Sequence, residues 1–283
     1  MSSENVEPPA TRSPLEPLAG QPFVLPLDTI ICGDNCDVLG TFPRECIDLV
    51  VTSPPYDDLR TYGGHSWDFY GVAAELLRVI KPGGVLVWVV NDKTDDGDET
   101  GTSMRQALHF KEIGLRLHDT MIYRKLNYLP QNASDRYDQC FEFAFVLSSG
   151  RPKTANLLKD RANAKAGITH ETGGRKNADG KLHDKRVVTV EPYGLRSNVW
   201  DIPVGGKSNA HPAPMPEALA RDHILSWSNE GDIVLDPFNG SGTTTKMARL
   251  MGRRFIGIDV NESYCEIARK RLEQKLLEFD AAG

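Results

Sequence analysis

The sequence has no apolar stretch that could cross a membrane as a helix. Its longest unbroken apolar run is residues 85–90, whereas a membrane-spanning helix needs about 20 such residues. The N-terminus also lacks the basic and then apolar pattern of a secretory signal. We therefore expect a cytoplasmic protein without membrane contact.

Cysteine is scarce, with five scattered residues among 283. Cys32 and Cys36 are separated by three residues, and no second pair with ligand spacing completes a zinc site. We expect reduced thiols, as in other intracellular proteins, and no bound metal.

Basic residues are slightly fewer than acidic ones, and the formal net charge is −6. Spread evenly, this charge would disfavour nucleic acid, because phosphate neutralisation needs Lys and Arg. Between Arg151 and Arg186, however, ten basic residues face four acidic ones, a net charge of +6 that leaves −12 for the rest of the chain. Such a basic segment on an acidic body indicates a local polyanion-binding surface, although a solvated loop would show the same counts.

Short apolar strands alternate with helical patterns through most of the chain. Hydrophobic residues make up 40% and charged residues 25%, which excludes wholesale disorder, collagen and coiled coils. Seven strands are predicted, over residues 29–32, 47–52, 85–90, 117–123, 141–147, 233–235 and 255–258. Several are continuous runs of Val, Ile and Leu, which is typical of strands buried on both faces. We predict an α/β fold with an open sheet, in which ligands bind beyond the carboxyl ends of the strands.

Apolar periodicity predicts helices over residues 69–80, 216–227 and 263–279. Ser263 and Glu266 have the spacing of a capping box at the start of the third helix.

Composition divides the chain into four parts. Residues 1–26 contain six prolines and few apolar residues, and are predicted to form a flexible arm. Residues 150–199 are polar, weakly periodic and include the basic segment, which favours an inserted recognition region. Residues 27–149 and 200–283 would then be two halves of one domain.

The strongest local pattern lies at residues 236–244, Asp-Pro-Phe-Asn-Gly-Ser-Gly-Thr-Thr. Gly240 and Gly242 would let the backbone approach a ligand closely, and the helix that follows would offer amides to a carboxylate. A P-loop would need Gly-Lys-Ser/Thr, but Lys246 follows Thr245 here. A dinucleotide fingerprint would need a small third residue where Thr245 stands.

Two carboxylates flank this turn. Asp236 would repel a phosphate but could hold an ammonium group. Asp259 ends the next predicted strand, 17 residues after Gly242, which is the spacing at which an acid reaches ribose hydroxyls. The combination predicts S-adenosylmethionine as the cofactor, with an ordinary tight turn and a helix-capping aspartate as the alternative.

A second pattern follows the strand at residues 47–52. Thr52, Ser53, Pro54, Pro55 and Tyr56 form a turn in which two prolines remove two N–H donors. Carbonyl oxygens and the Ser53 hydroxyl remain as acceptors, which suits an exocyclic NH₂ group. Tyr56 would provide a flat face on which a base can stack.

These two patterns resemble the motifs of the amino DNA methyltransferases, which modify adenine N6 or cytosine N4. Residues 52–56 resemble their catalytic motif, and residues 236–243 resemble their cofactor motif. The catalytic motif comes first, as in the beta class of the family, and the resemblance covers roughly residues 29–272. It implies a Rossmann-like seven-stranded methyltransferase sheet with circularly permuted motif order and an inserted target-recognition region.

The resemblance also implies roles for particular residues. Catalytic roles fall on Ser53, Pro54, Pro55 and Tyr56. Cofactor-binding roles fall on Asp34, His211, Asp236, Pro237, Phe238, Gly240, Ser241, Gly242, Thr243 and Asp259. The basic segment, on which the resemblance says little, supplies the predicted contacts with double-stranded DNA: Arg151, Lys153, Arg175, Lys176, Lys185 and Arg186. Family habit suggests a homodimer, and we expect a bacterial or phage protein in the cytoplasm that is associated with the nucleoid through DNA.

The expected activity is methyl transfer to the amino group of a flipped DNA base. Family members with Ser at position 53 lean towards cytosine N4, but adenine methylation is the commoner bacterial activity, and we favour adenine slightly. Such enzymes serve restriction-modification or epigenetic regulation, and this chain shows no convincing nuclease motif.

Three other functions are weighed. A DNA-binding regulator without turnover is disfavoured by the intact motifs. An RNA or protein-glutamine methyltransferase usually carries Asn in place of Ser53. A nicotinamide oxidoreductase is disfavoured by Thr245 and Asp236.

Overall fold

The computed structural model describes residues 24–55, 67–130, 135–172, 179–180, 186–204 and 215–280. The predicted N-terminal arm lies outside the described residues except for positions 24–26.

One mixed sheet, with eight strands among the described residues, forms the core of the fold. Its strands in chain order are β1 (Thr29–Cys32), β2 (Ile47–Thr52), β3 (Ile80–Val90), β4 (Arg116–Lys125), β5 (Phe141–Ser148), β6 (Val199–Ile202), β7 (Ile233–Asp236) and β8 (Arg254–Asp259). Their order across the sheet is β1-β8-β7-β2-β3-β5-β4-β6. All neighbours pair in parallel except β5, which is antiparallel to both β3 and β4. The predicted α/β fold class is confirmed.

Sequence patterns predict seven of these strands, and β6 is the eighth. It pairs with β4 at the edge of the sheet, with Trp200 opposite Tyr123. Its four residues alternate between exposed and buried, and a run this short at the end of a polar segment gives too weak a period for prediction.

Within the described residues, six helices cover the two faces of the sheet. They are α1 (Asn35–Gly40), α2 (Phe69–Val79), α3 (Thr102–Glu112), α4 (Glu217–Trp227), α5 (Thr243–Leu250) and α6 (Glu262–Asp280). Helices α1, α2 and α3 bury their apolar sides in one core, and α4, α5 and α6 bury theirs in the other. Burial on both faces explains the continuous apolar runs of the central strands.

The three predicted helices are present within one residue at each end, but the predicted capping box is wrong. The cap is Asn261, whose side-chain oxygen accepts the Ser263 amide at 3.0 Å and the Ser263 hydroxyl at 2.5 Å. An Asn immediately before the first helical residue is as good a cap as Ser, and spacing alone does not choose between them.

The connection between α2 and the main part of β3 is built into the strand. Ile80 already pairs with Ile47, and the ladder resumes with Val85 opposite Leu49. The four residues between form an irregularity, which Lys81 supports by donating to Asp48 Oδ2 at 2.7 Å.

The predicted recognition region forms an exposed antiparallel arm. It includes two short ribbons, one pairing Arg161–Ala162 with Tyr193–Gly194 and the other pairing Thr169–Thr172 with Arg186–Thr189. At its base, Arg196 bridges Asp160 and the Asp222 carboxylate of α4. The arm is therefore fastened to the core through α4.

Neither membrane nor metal-binding features are found in the described part of the chain. No described helix combines the length and apolar character needed to cross a bilayer. No group of three or more His, Cys, Asp or Glu side chains within the described ranges is arranged to hold a metal ion. All five cysteines are free thiols.

Gly257 in β8 packs closely against the turn that follows β7. An added Cβ there would lie 2.6 Å from Asn239 Cγ and 2.8 Å from Ile30 Cδ1. We expect Gly257→Ala to lower the free energy of unfolding by about 1–3 kcal/mol because the packed neighbours must move. Denaturant titration measures the loss.

Gly40→Ala is the matched control. A Cβ at Gly40, the last residue of α1, meets no heavy atom of the described residues within 4 Å beyond its local neighbours. It should cost nothing or stabilise slightly. Equal stability of Gly257→Ala and wild type would contradict the packing described.

Candidate functional site

The carboxyl ends of β2 and β7 meet at one edge of the sheet. The two strands pair in parallel with Leu235 opposite Val50, so that Asp236 comes level with the end of β2. The Thr52 hydroxyl donates to Asp236 Oδ1 at 2.6 Å. The two predicted motifs, far apart in sequence, therefore lie side by side at one edge of the sheet.

Asp236 is a buried carboxylate, with 3% of its surface exposed. Burial raises its pKa to about 6, although the Thr52 and Thr244 hydroxyls and the Phe238 amide lower it and the Asp259 charge adds to the rise. No ion pair with Asp236 is found among the described residues. The site thus holds a charge that a bound cation would compensate.

The turn after Asp236 is shaped by its two glycines. Gly240 and Gly242 both have positive φ, 48° and 82°, which only glycine adopts readily. The Gly242 amide donates to the Asn239 carbonyl at 2.8 Å. Gly242 is the cap of α5, and no side chain caps the first-turn amides of this helix, which is the local arrangement that an anion-binding helix start needs.

Asp259 fixes this turn from the neighbouring strand. Its Oδ2 accepts the Gly240 amide at 2.8 Å, and its Oδ1 accepts the Asn261 amide at 2.9 Å. The side chain is half-buried at the carboxyl end of β8. It therefore shapes the turn in addition to any role towards a ligand.

Asn239 is a buried turn residue that the sequence patterns did not single out. Its Oδ1 accepts the Thr245 hydroxyl at 3.0 Å, and its amide nitrogen has no hydrogen-bond partner among the described residues. Thr245 stands where a dinucleotide fingerprint would have glycine or alanine, and here its hydroxyl holds the turn instead.

An ion cluster supports the turn from behind. Arg271 of α6 donates to the Ser241 carbonyl at 2.7 Å and to its hydroxyl at 3.0 Å. Arg271 also forms an ion pair with Glu217 at 2.9 Å. Lys246 forms a second ion pair with the same carboxylate. Partial burial raises the pKa of Glu217, but the two cations outweigh it and hold the pKa below its usual range.

Two residues shortly after β1 make side-chain hydrogen bonds that fix local structure. Asp34 is exposed and caps α1 by accepting the Cys36 and Asp37 amides. The neighbouring Asn35 is buried, and its amide donates to the Pro237 carbonyl at 3.4 Å. Asn35 is thus a further support of the turn, found only from its contact.

The proline turn lies at the same edge as the Asp236 turn. Ser53 and Pro55 are half-buried and Pro54 is buried. On the other side of β2, Asp92 at the end of β3 is buried and accepts the Ser103 amide and hydroxyl. Tyr56 and His211, which were predicted to complete the site, lie outside the described residues.

Two of the residues predicted to contact DNA lie far from the Asp236 turn. The Lys153 amide donates to the Gly83 carbonyl at 2.9 Å, which places Lys153 and neighbouring Arg151 at the amino edge of β3, about 20 Å from its carboxyl edge. This follows from the antiparallel direction of β5, which the sequence patterns did not predict. Arg186 is exposed on the outer ribbon, and Arg175, Lys176 and Lys185 lie outside the described residues.

Comparisons with known proteins agree on one family. A family model described as DNA methylase matches residues 47–270. The orphan methyltransferase M.BamHII of Bacillus amyloliquefaciens is 52% identical over 242 residues, covering 82% of this chain and 90% of that protein. The DNA adenine methyltransferase YhdJ of Escherichia coli strain K12 is 30% identical over 262 residues, covering 87% and 82%.

A solved structure agrees in fold. The M1.HpyAVI–SAM complex aligns with a TM-score of 0.59 at 25% identity, covering 86% of this chain and 99% of that one.

Replacing Asp236 with Asn tests the buried charge. Because the pKa rises from 3.8 to about 6 on folding, the native state binds the proton more tightly, and stability falls as pH rises through this range. We expect Asp236→Asn to raise the free energy of unfolding of the ligand-free protein by about 2–3 kcal/mol at neutral pH. The gain should shrink towards zero as pH falls from about 6 to about 4.

Denaturant titrations across this pH range measure the effect. Glu99→Gln, at an exposed carboxylate, is the control and should show no such pH-dependent gain. A loss of stability in Asp236→Asn that is the same at every pH would contradict the assignment.

Proposed function

The chain belongs to the DNA methylase family of adenine-N6 and cytosine-N4 methyltransferases, and we propose that its cleft holds the methyl donor at Asp236 and the target amine at Ser53. It is an S-adenosylmethionine-dependent enzyme that methylates DNA. The single observation that carries the proposed site is the Thr52–Asp236 hydrogen bond, which joins the two motifs.

The residues of the Asp236 turn fit S-adenosylmethionine. The buried carboxylate without a cationic partner in the described structure suits the ammonium group, and the first-turn amides of α5 suit the carboxylate. Asp259 lies on the adjacent strand, where its oxygens can accept from the ribose hydroxyls. When bound, this cofactor supplies an electrophilic methyl group on a sulfonium.

Other predicted cofactor residues have supporting parts in this proposal. Pro237 and Phe238 hold the turn against Asn35 and the aromatic side chains beside it, and Ser241 is fixed by Arg271. Thr243 is the first residue of α5. Asp34 and His211 are retained for the adenine and methionine ends on the resemblance alone.

The proline turn provides acceptors for the target amine. Ser53 Oγ and the Pro54 carbonyl can each accept one N–H of the NH₂ group. These bonds favour the pyramidal nitrogen, whose lone pair is released from the ring. The Ser53 hydroxyl can accept a hydrogen bond but cannot take up an additional proton at neutral pH. The proton of the methylated amine therefore leaves to solvent after methyl transfer.

Binding the base requires its removal from the duplex, which costs a few kcal/mol. We assign stacking of the base to Tyr56 and preorganisation of the acceptors to Pro54 and Pro55. Catalysis then comes mainly from positioning and electrostatics.

Adenine N6 is our first candidate for the target. The named adenine methyltransferase YhdJ, at 30% identity, supports it. Cytosine N4 is the second candidate, because Ser at position 53 is commoner in the cytosine branch that the motif resembles. The two bases present the same NH₂ group beside a ring nitrogen, so the acceptor set serves either.

The exposed arm is our candidate for sequence recognition. It projects from residues 158–196 and carries the exposed Arg186. We propose that Arg186 contacts phosphates, together with Arg175, Lys176 and Lys185 of the same basic stretch of sequence. Arg151 and Lys153 are left out because they lie at the opposite edge of the sheet. We also propose that residues 150–199 are an insertion between the two halves of one domain. The protein is proposed to be a homodimer located in the cytoplasm. The five free thiols fit a reducing compartment.

Labelled methyl transfer followed by mass spectrometry of the nucleosides tests the activity and the base. We expect N6-methyladenine in DNA incubated with the wild type. Ser53→Ala should reduce the rate about 100-fold while its affinity for S-adenosylhomocysteine stays within about twofold.

N4-methylcytosine would select the second candidate. DNA binding without label would support the regulator instead. Equal loss of rate and cofactor affinity in Ser53→Ala would contradict the proposed division of the cleft.

A further inference from the structure

Arg196 joins the exposed arm to the core of the protein. On the arm side, its Nε donates to both carboxylate oxygens of Asp160 at 3.0 Å, and its Nη2 donates to the same carboxylate. On the core side, its Nη1 donates to Asp222 Oδ2 of α4 at 2.7 Å. Asp222 is buried, and Arg221 forms a second ion pair with it at 2.8 Å. One guanidinium therefore connects two carboxylates from different parts of the fold.

The core side of this contact is rigidly packed. The Arg196 guanidinium lies over the ring of Trp200, 4.9 Å from its centroid, which is a cation–π contact. The Trp200 ring stacks on His223 of α4 at 4.5 Å, centroid to centroid, with an interplanar angle of 27°. Trp200 and His223 are both buried. The sheet and α4 therefore fix the direction in which Arg196 holds Asp160.

The chain that enters the arm also contacts α4. The Asn156 backbone amide donates to the Ser226 carbonyl at 2.8 Å, and its side-chain amide donates to the Ser228 carbonyl at 3.3 Å. These contacts lie at the end of α4, about one helical turn beyond Asp222. Attachment near Asn156 alone would let the arm rotate about that point, and the contact of Arg196 with Asp160 restricts this rotation.

Backbone hydrogen bonds connect the base of the arm to Arg186. The Arg196 amide donates to the Leu158 carbonyl at 2.9 Å, and the Asn163 and Gly167 amides donate to carbonyls of the opposite chain segment at 2.9 Å. The two ribbons of the arm continue this pairing as far as Arg186. Ten residues of extended chain span up to about 30 Å, so that a rotation of about 10° at the base would move Arg186 by about 5 Å.

We propose that Arg196 is a positioning residue that sets the angle of the arm relative to the Asp236 turn, and thereby the fit of the arm to DNA. Helix α4 begins at Glu217, which forms an ion pair with Arg271 behind that turn. The arm and the cofactor turn are therefore held by the same helix at different points. This inference rests on the proposed function, since it needs the arm to contact DNA.

Replacing Asp160 with Asn separates positioning from a simple effect of charge. Asp160 is half-exposed, and its replacement leaves Arg196 paired with Asp222. Electrostatics alone would lower the KM for duplex DNA, because the arm loses a negative charge. Positioning predicts the opposite, since loss of a partly exposed ion pair should raise this KM about 2- to 5-fold. The kcat and the affinity for S-adenosylhomocysteine should stay within about twofold of wild type.

Steady-state methyl transfer measures KM and kcat, with a duplex that carries the site located by sequencing modified bases. Arg196→Lys keeps the charge but lacks the planar fork, and should also raise KM. Asp160→Glu keeps the carboxylate and should restore most of the wild-type KM. Asp201→Asn is the matched control, because it removes the same charge from the exposed ion pair with Arg124 between β4 and β6. This control should not raise KM.

Circular dichroism checks that the variants fold, and Asp160→Asn decides alone if Arg196→Lys does not. An unchanged or lower KM in Asp160→Asn, or an equal rise in Asp201→Asn, would overturn the inference. Arg186→Gln distinguishes this failure from failure of the proposed function. If Arg186→Gln raises KM and Asp160→Asn does not, the arm still contacts DNA and only the role of Arg196 is wrong. A wild type that transfers no methyl group to DNA would overturn both.

Discussion

The parallel pairing of β2 with β7 is the constraint on which the site depends. It brings together residues 184 positions apart in sequence, and the hydrogen bond from Thr52 to Asp236 closes the contact. Without this pairing, the proline turn and the glycine turn would be two unrelated loops. With it, hydrogen-bond acceptors for an amine lie beside a carboxylate suited to an ammonium group. Two ligands can then be held next to each other for methyl transfer.

The buried carboxylate of Asp236 lowers the stability of the ligand-free fold at neutral pH. Asp236 is buried, and it is hydrogen-bonded rather than ion-paired in the described structure. The surrounding supports are correspondingly numerous: Asp259 and Asn35 hold the turn from the strands and α1, and Arg271 holds it from α6. A rigid turn around an uncompensated carboxylate is what a site needs if its ligand is to supply the missing cation.

Sequence patterns predicted the parts of this molecule that depend on local chemistry. Seven strands, the glycine turn and its acid, and the proline turn each follow from runs of a few residues. The direction of β5 does not, because apolar periodicity is the same for either direction, and that direction decides that Arg151 and Lys153 lie at the amino edge of β3. Asn35 and Asn239 escaped notice because a single polar residue gains its role only from the contact it makes in the fold.

A structure of the protein with S-adenosylhomocysteine and a target duplex would test the shared cleft most directly. The account predicts the ligand ammonium nitrogen within about 4 Å of an Asp236 carboxylate oxygen, the ion-pair limit. It also predicts the flipped base amine within hydrogen-bond distance, about 3 Å, of Ser53 Oγ. A ligand bound elsewhere, or a base amine held by other residues while Ser53 faces away, would contradict it.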